Sequence, residues 1–210
     1  YVSQLRVMGN SFYFSASTNR TVLWKSNGTT EGTVLLKGPE DMTADYGISS
    51  LTAINGYLYY IAGFDHTQYF WKSDGTTSGT GPIMESDYYD TNSPHFTLLN
   101  GKIYFFRSFY AEDKSNQQLY QMNPDGTGIS LVWEASYFES HDDYTQFGSS
   151  ELVAVNNALF FYGRNNEGEG YKLLKSDATP QGTLVVKDTY RTTGSSNPVN
   201  FVNVNNKIYF

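Results

Sequence analysis

The stretch FWKSDGTTSGT at residues 70–80 has the pattern of a β-hairpin turn, and the chain repeats it. The other copies are LWKSNGTTEGT at 23–33, LYQMNPDGTGIS at 119–130 and LLKSDATPQGT at 173–183. Three copies place a glycine after the corner Asn or Asp, where the missing Cβ removes the steric clash of a positive φ. The fourth copy has Ala178 instead, so we expect a different turn there, reshaped by Pro180.

A second hairpin pattern precedes each of these copies. It consists of an apolar run, a pair of Asn or Gly residues and an alternating aromatic run, and it occurs five times: VMGNSFYF (7–14), AINGYLYY (53–60), LLNGKIYF (98–105), AVNNALFF (154–161) and NVNNKIYF (203–210). Asn and Gly tolerate the positive φ that a two-residue hairpin turn requires. Each stretch therefore predicts a strand, a tight turn and a second strand.

Each complete repeat thus contains four antiparallel strands, and the repeats are about 45 to 56 residues long. This spacing, without helical periodicity, is typical of a β-propeller, in which each repeat is one blade and neighbouring blades cover its faces. The sequence predicts an all-β chain with four complete four-stranded blades and half of a fifth. We expect the blades at approximately 3–37, 49–86, 95–135, 150–188 and 199–210.

The fifth copy stops after its second strand, at Phe210. We therefore expect the chain to be part of a larger propeller, whose remaining blades would be partners of these. An open stack of blades docked on another partner is the alternative.

Composition narrows the class of protein further. Apolar residues make up 39% of the 210 residues and charged residues 17%, which is typical of a folded chain. The net charge of −7 opposes nucleic-acid binding, because contacts with phosphates require a positive surface. The chain has no cysteine, so it forms neither a disulfide nor a thiolate metal site. No apolar run reaches the ~18 residues of a transmembrane helix, so we expect no transmembrane segment.

The motifs LWKSNGTTEGTVLLK, FWKSDGTTSGT and LLKSDATPQGTLVVKD, each preceded by strands of the NGxLYF type, resemble the ELWxxDGT-repeat proteins. This family is abundant in large secreted and surface proteins of Bacteroidetes and myxobacteria. The resemblance implies a β-propeller and an extracellular or cell-surface location. It also implies export, often by type IX secretion with a C-terminal sorting domain.

The loops that join the second strand to the third, and one blade to the next, differ most between repeats, and binding sites usually lie on such loops. They combine carboxylates with aromatic side chains. The candidate binding residues are Tyr46, Asp87, Tyr88, Tyr89, Asp90, Tyr137, His141, Asp142, Asp143 and Tyr144. Acidic loops that keep a secreted protein soluble are the alternative interpretation. We expect no cofactor, although calcium could bind carboxylates of this kind.

The predicted function is non-catalytic binding of protein or glycan by an adhesin or scaffold. The histidines His66, His95 and His141 are scattered without a metal-binding spacing, which favours a surface role. The recurrence of Trp24 and Trp71 at one blade position favours packing between blades. The alternative function is a glycoside-active enzyme with carboxylates at the central channel of the propeller.

Overall fold

The computed structural model describes residues 2–17, 21–37, 47–64, 67–86, 95–111, 114–138, 151–163, 170–179, 181–187 and 200–210. Within these ranges the regular secondary structure is all β. The chain divides into two compact units, Tyr1–Tyr88 with Pro124–Thr127, and Tyr89–Asn123 with Gly128–Phe210. The described residues include no helix long and apolar enough to cross a membrane.

Four of the sheets in the described part of the chain have four antiparallel strands in chain order, and a fifth has two. The first unit holds sheet 1, with β1 (Val2–Met8), β2 (Ser11–Ser17), β3 (Thr21–Ser26) and β4 (Val34–Lys37), and sheet 2, with β5 (Ser49–Ile54), β6 (Tyr57–Phe64), β7 (Thr67–Ser73) and β8 (Gly81–Ser86).

The second unit holds the other three sheets. Sheet 3 comprises β9 (Thr97–Leu99), β10 (Lys102–Ala111), β11 (Lys114–Met122) and β12 (Ser130–Phe138), sheet 4 comprises β13 (Leu152–Val155), β14 (Ala158–Gly163), β15 (Lys172–Ser176) and β16 (Thr183–Val185), and sheet 5 comprises β17 (Val202–Val204) and β18 (Lys207–Tyr209). The predicted all-β class and the four-stranded antiparallel sheets are confirmed.

Tight turns join the first two strands of the sheets, and their backbone explains the Asn and Gly pairs. Both central residues have positive φ, with values of 51° at Asn55 and 77° at Gly56, and of 49° at Asn156 and 62° at Asn157. A type I′ turn needs this backbone because its twist matches that of the two strands. The prediction of two-residue hairpins is confirmed at these positions.

The core of the first unit lies between sheets 1 and 2. Leu23 and Tyr13 of sheet 1 are buried in one cluster with Leu58 and Trp71 of sheet 2. Trp71 stacks on Tyr60 with 5.9 Å between ring centroids. Trp71 therefore has the packing role that its recurrence predicts. The first strands of these sheets are also in contact, and the amide of Leu51 donates to Oε1 of Gln4 at 3.3 Å.

The core of the second unit lies between sheets 3 and 4. The edge of Phe106 meets the ring of Phe161, with centroids 5.0 Å apart, and Trp133 packs on the same ring at 5.3 Å. The first strands of the sheets again adjoin, because Oγ1 of Thr97 donates to the carbonyl of Leu152 at 2.5 Å. Successive sheets within each unit therefore share a buried face and a contact between first strands.

Candidate binding face

Each four-stranded sheet has two chemically different ends. Because strand order follows the chain, the first and third connections of a sheet lie at one end and the second connection lies at the other. We call the first the turn end, which carries the tight turns and the repeated segments 27–33, 74–80, 123–129 and 177–182. The other end is the loop end, where the second strand of each sheet ends and the third begins, and the sequence predicts the variable loops there.

Side chains of the repeated segment fix its own backbone at the turn end. In sheet 2, Oδ1 of Asp74 accepts hydrogen bonds from the amide of Thr76 at 2.8 Å and from its hydroxyl at 2.7 Å. The amide of Gly75 donates to Oγ of Ser73 at 3.1 Å, and this oxygen lies 2.6 Å from Oγ1 of Thr80. The polar groups of the segment thus bond to one another, which gives the segment a structural role.

The same network recurs in the other sheets. In sheet 1, Oδ1 of Asn27 accepts from the amide and hydroxyl of Thr29 at 3.0 and 2.8 Å. In sheet 3, Asp125 accepts the equivalent pair from Thr127 at 2.9 and 2.6 Å. The third copy diverges most in sequence, but its corner residue Asp125 makes the same two hydrogen bonds as Asp74 and Asn27.

The carboxylates of this network titrate at low pH. The hydroxyl of Thr76, followed by its amide, holds the pKa of Asp74 below its ordinary value of 3.8. Thr127 lowers the pKa of Asp125 in the same way, and Thr179 lowers that of Asp177. A hydrogen bond donated to a carboxylate favours the ionised form, so all three are charged at neutral pH.

The prediction of a different turn at Ala178 is wrong. Ala178 has a φ of 69°, and its amide donates to Oγ of Ser176 at 3.1 Å, as that of Gly75 does to Ser73. Asp177 accepts from the amide and hydroxyl of Thr179 at 2.9 and 2.7 Å. These bonds hold the alanine in a left-handed backbone that costs about 1–2 kcal/mol. Pro180 lies outside the described residues.

The turn of one repeat is held by side chains of the preceding repeat. Nζ of Lys25 donates to the carbonyl of Gly75 at 3.0 Å, and Nζ of Lys72 donates to the carbonyl of Asp125 at 2.6 Å. In the second case both residues belong to the first unit, which includes Pro124–Thr127. The hydroxyl of Tyr59 donates to the carbonyl of Pro124 in the same segment. Lys25 and Lys72 are therefore part of the packing between successive repeats.

Most of the predicted binding residues lie outside the described residues. These are Tyr46, Asp87, Tyr88, Tyr89, Asp90, His141, Asp142, Asp143 and Tyr144. Tyr137 lies in β12, where its backbone pairs with Ser115 near the loop end of sheet 3. The binding face therefore remains a prediction from sequence. The acidic loops considered for calcium are among these segments, and the described ranges contain no group of three metal-ligating side chains.

The structure adds two titratable residues at the loop end that the sequence did not bring together. His95 and Glu151 both lie half-buried, just before the first strands of sheets 3 and 4. Burial lowers the pKa of His95, and the charge of Glu151 opposes this shift only partly. Glu151 also accepts a hydrogen bond from the amide of Phe201. An imidazole that is neutral at pH 7 beside a carboxylate can accept a proton or a hydrogen bond from a ligand.

Solved structures resemble this chain, whereas no family model and no curated protein sequence matches it. The β-propeller domain of the trilobed protease from Pyrococcus furiosus, described as having an open velcro topology, aligns with a TM-score of 0.53 and 13% identity over 90% of this chain and 59% of that chain. A prolyl endopeptidase aligns with a TM-score of 0.51 and 9% identity over 88% of this chain.

The chain spans only 26% of the prolyl endopeptidase and 59% of the propeller domain. Both identities are below 25%, so the likeness is one of fold alone. This likeness agrees with the four-stranded antiparallel sheets of the chain, in which the first strands of successive sheets adjoin within each unit. The sheets of this chain have the fold of a β-propeller.

Proposed function

We propose that this chain is part of a larger β-propeller in an exported bacterial protein and that it binds protein or glycan at its loop end without catalysis. The location would be extracellular or at the cell surface, as in the ELWxxDGT-repeat proteins that the sequence resembles. The observation that carries the proposal is the contrast between the two ends of the sheets. The turn end repeats one internally bonded network, whereas the loop-end segments differ in sequence and length.

The chemistry of the loop-end segments supports a polar ligand. The segment 85–90 reads ESDYYD, and the segment 139–144 reads ESHDDY. Carboxylates accept hydrogen bonds from hydroxyl groups, and tyrosine offers a flat apolar surface with a polar tip. Sugars and polar protein surfaces present both kinds of group. A scaffold fixed by the turn network would hold such loops in place.

The test is a binding screen of the folded chain against a glycan array and against surface proteins, followed by the variants Tyr88→Ala and Tyr144→Ala. We expect at least one of these variants to weaken binding of a hit about tenfold or more, as loss of a central aromatic contact does. Glu31→Ala changes an exposed residue at the turn end and is the matched control. Binding that both tyrosine variants leave intact, or that Glu31→Ala removes, would refute the proposed face.

A glycoside-active enzyme is the second candidate, and the half-buried Glu151 beside His95 favours it. Glycoside hydrolysis needs a second carboxylate about 5–10 Å from the first. Release of reducing sugar from a panel of glycosides, with loss of release in Glu151→Gln, would favour the enzyme over the binding protein. An inactive chain whose glycan binding is intact would favour the binding protein.

A further inference from the structure

The side chains that hold a turn of the following repeat lie in the same register row of sheets 1 and 2. In sheet 1, Tyr13 of β2 pairs with Lys25 of β3, and in sheet 2, Tyr59 of β6 pairs with Lys72 of β7. Side chains of directly paired residues lie on the same face of a sheet. We call this aromatic and lysine pair the turn socket.

Both turn sockets of the first unit are filled. Lys25 and Lys72 donate to the carbonyls of Gly75 and Asp125, and both aromatic rings are buried, with relative exposures of 3% for Tyr13 and 0% for Tyr59. Each ammonium also lies over an aromatic ring, at 5.8 Å from the centroid of Tyr13 and 5.1 Å from that of Tyr57. The occupant in each case is a segment with the sequence Asp-Gly-Thr.

The occupants of both filled sockets have glycine at the corner, with φ values of 85° at Gly75 and 83° at Gly126. A Cβ on Gly75 would lie 2.3 Å from the hydroxyl oxygen of Tyr13, and a Cβ on Gly126 would lie 3.1 Å from Cγ2 of Ile83 and 3.3 Å from Cδ of Lys72. Sheet 3 has Tyr104 paired with Gln121 instead of lysine. In that unit the corner residue is Ala178, which packs against the cluster that contains Tyr104. The two turns that contact a lysine have glycine at the corner, and the turn of the repeat after the one with Gln121 has alanine.

Sheet 4 carries the same pair, Phe160 of β14 and Lys175 of β15. Here Lys175 is exposed and Phe160 is only half-buried, and Leu184, which pairs with Lys175 in the same row, is 64% exposed. This row therefore has an aromatic residue and a lysine, as the filled sockets do, but its side chains are exposed or only half-buried, so no turn covers it in the described structure. Sheet 5, which follows in the chain, has two strands, β17 and β18.

We infer that Phe160 and Lys175 form a turn socket for the Asp-Gly-Thr or Asn-Gly-Thr turn of a further β-hairpin, which would complete sheet 5. The inference rests on the proposed role of this chain as part of a larger propeller. The ammonium of Lys175 donates to a carbonyl of the turn, and the ring of Phe160 packs on the glycine. As in the two filled sockets, where Gly75 and Gly126 have φ values of 85° and 83°, the corner residue of the occupant is glycine.

The test supplies the hairpin from the chain's own sequence. Residues 61–86 directly follow Tyr60, the equivalent of Phe210, so a copy of residues 61–86 is fused after Phe210. Acetylation of each lysine is then followed by mass spectrometry. We expect Lys175 to react about tenfold more slowly in the fusion, because the bound ammonium is a donor in a charge-assisted hydrogen bond. Lys187, which is exposed, is the reference for an unprotected lysine.

The matched control is the same fusion with Gly75→Val in the copied segment, since a β-branched residue disfavours positive φ. We expect Lys175 to regain its reactivity in this control. When the copied hairpin folds, equal reactivity of Lys175 in the fusion, the control and the original chain would overturn the inference. A dimer of the original chain in which Lys175 is already protected would also overturn it, because a second copy would then be the occupant.

A fusion whose copied hairpin does not fold calls for a second measurement. The copied segment is then added as a backbone-cyclised peptide, and the NMR signals of Lys175 and Phe160 are followed during titration. Shifts of both signals, absent with the Gly75→Val peptide, support the socket, and unchanged signals overturn it. These outcomes concern the turn end alone, so they are independent of the loop-end binding tests with Tyr88→Ala and Tyr144→Ala.

Discussion

The ammonium of Lys25 donates a hydrogen bond of 3.0 Å to the carbonyl of Gly75, which belongs to the next repeat of the sequence. The bond joins a strand of sheet 1 to the turn that closes sheet 2. A carbonyl in a tight turn has no partner within a sheet ladder, so a donor from the neighbouring repeat satisfies it. Lys25 thus links the geometry of this turn to the packing of sheets 1 and 2.

Replacing Lys25 by methionine should therefore destabilise the chain, although methionine retains most of the apolar stem. We expect a loss of about 1 kcal/mol in the free energy of unfolding, because a partly exposed charged hydrogen bond contributes on this scale. Lys175→Met is the matched control at the equivalent, exposed position. Urea denaturation measures both, and equal losses in the two variants would contradict the role of the Lys25 bond.

The glycines of the repeated turn should differ in how much an added methyl costs. Gly28 and Gly75 have φ values of 93° and 85°, but a Cβ meets nothing within 4 Å at Gly28, whereas at Gly75 it would lie 2.3 Å from the hydroxyl oxygen of Tyr13. We expect Gly28→Ala to cost about 1 kcal/mol through backbone strain and Gly75→Ala about 3 kcal/mol through strain and overpacking. Thermal unfolding measures the loss of stability in each variant. Similar losses would show that the contact with Tyr13 does not add to the cost of a methyl group at residue 75.

The turn aspartates should make stability depend on pH in the acidic range. Their pKa values are lowered in the folded chain, so they contribute stability above the ordinary value of 3.8, and this is lost as pH falls through the folded pKa values. The triple variant D74N, D125N and D177N should reduce this dependence, because Asn27 already makes the same bonds without a charge. Melting temperatures from about pH 2 to 7 test this, and an unchanged profile would contradict it.

Trp24 and Trp71 occupy the same position in the first two repeats, but they should contribute unequally to the free energy of unfolding. Trp71 is buried, stacks on Tyr60 and donates from Nε1 to the carbonyl of Ala62 at 3.1 Å. Nε1 of Trp24 is buried and has no hydrogen-bond partner among the described residues. Trp71→Phe should cost about 2–3 kcal/mol through lost packing and an unsatisfied carbonyl, and Trp24→Phe less than about 1 kcal/mol. Denaturant unfolding that ranks Trp24→Phe as the more damaging change would contradict this assignment.

The parts of the fold that could be predicted from sequence are those set by local chemistry. Asn55 and Gly56 specify a type I′ turn by themselves, and alternating aromatic residues specify the strand that follows. Ala178 shows the limit of this reasoning. Its intrinsic preference opposes a positive φ, but the bonds of Ser176, Asp177 and Thr179 around it impose that backbone. The network, which is spread over several residues, overrides the preference of one.

The candidate site was harder to predict because it depends on contacts between repeats. His95 and Glu151 are distant in sequence and match no motif for a catalytic or metal site. Each lies just before the first strand of its repeat, and the first strands of sheets 3 and 4 adjoin. Aligning the repeats and comparing residues just before each first strand would have paired them. The loops with Tyr88 and Tyr144 vary between repeats, so the repeat pattern carries no information about their conformation.

The final prediction concerns the imidazole of His95. Burial disfavours its charged form and Glu151 favours it, so removing the negative charge with Glu151→Gln should lower the pKa of His95 further. NMR titration of the histidine ring protons measures the shift, and the signals of His66 and His141 are internal controls. Because the folded pKa lies below the ordinary value of 6.5, stability should be complete above that pH and decline as the pH falls below it. A pKa of His95 that rises or stays fixed in Glu151→Gln would show that the carboxylate does not act on this imidazole.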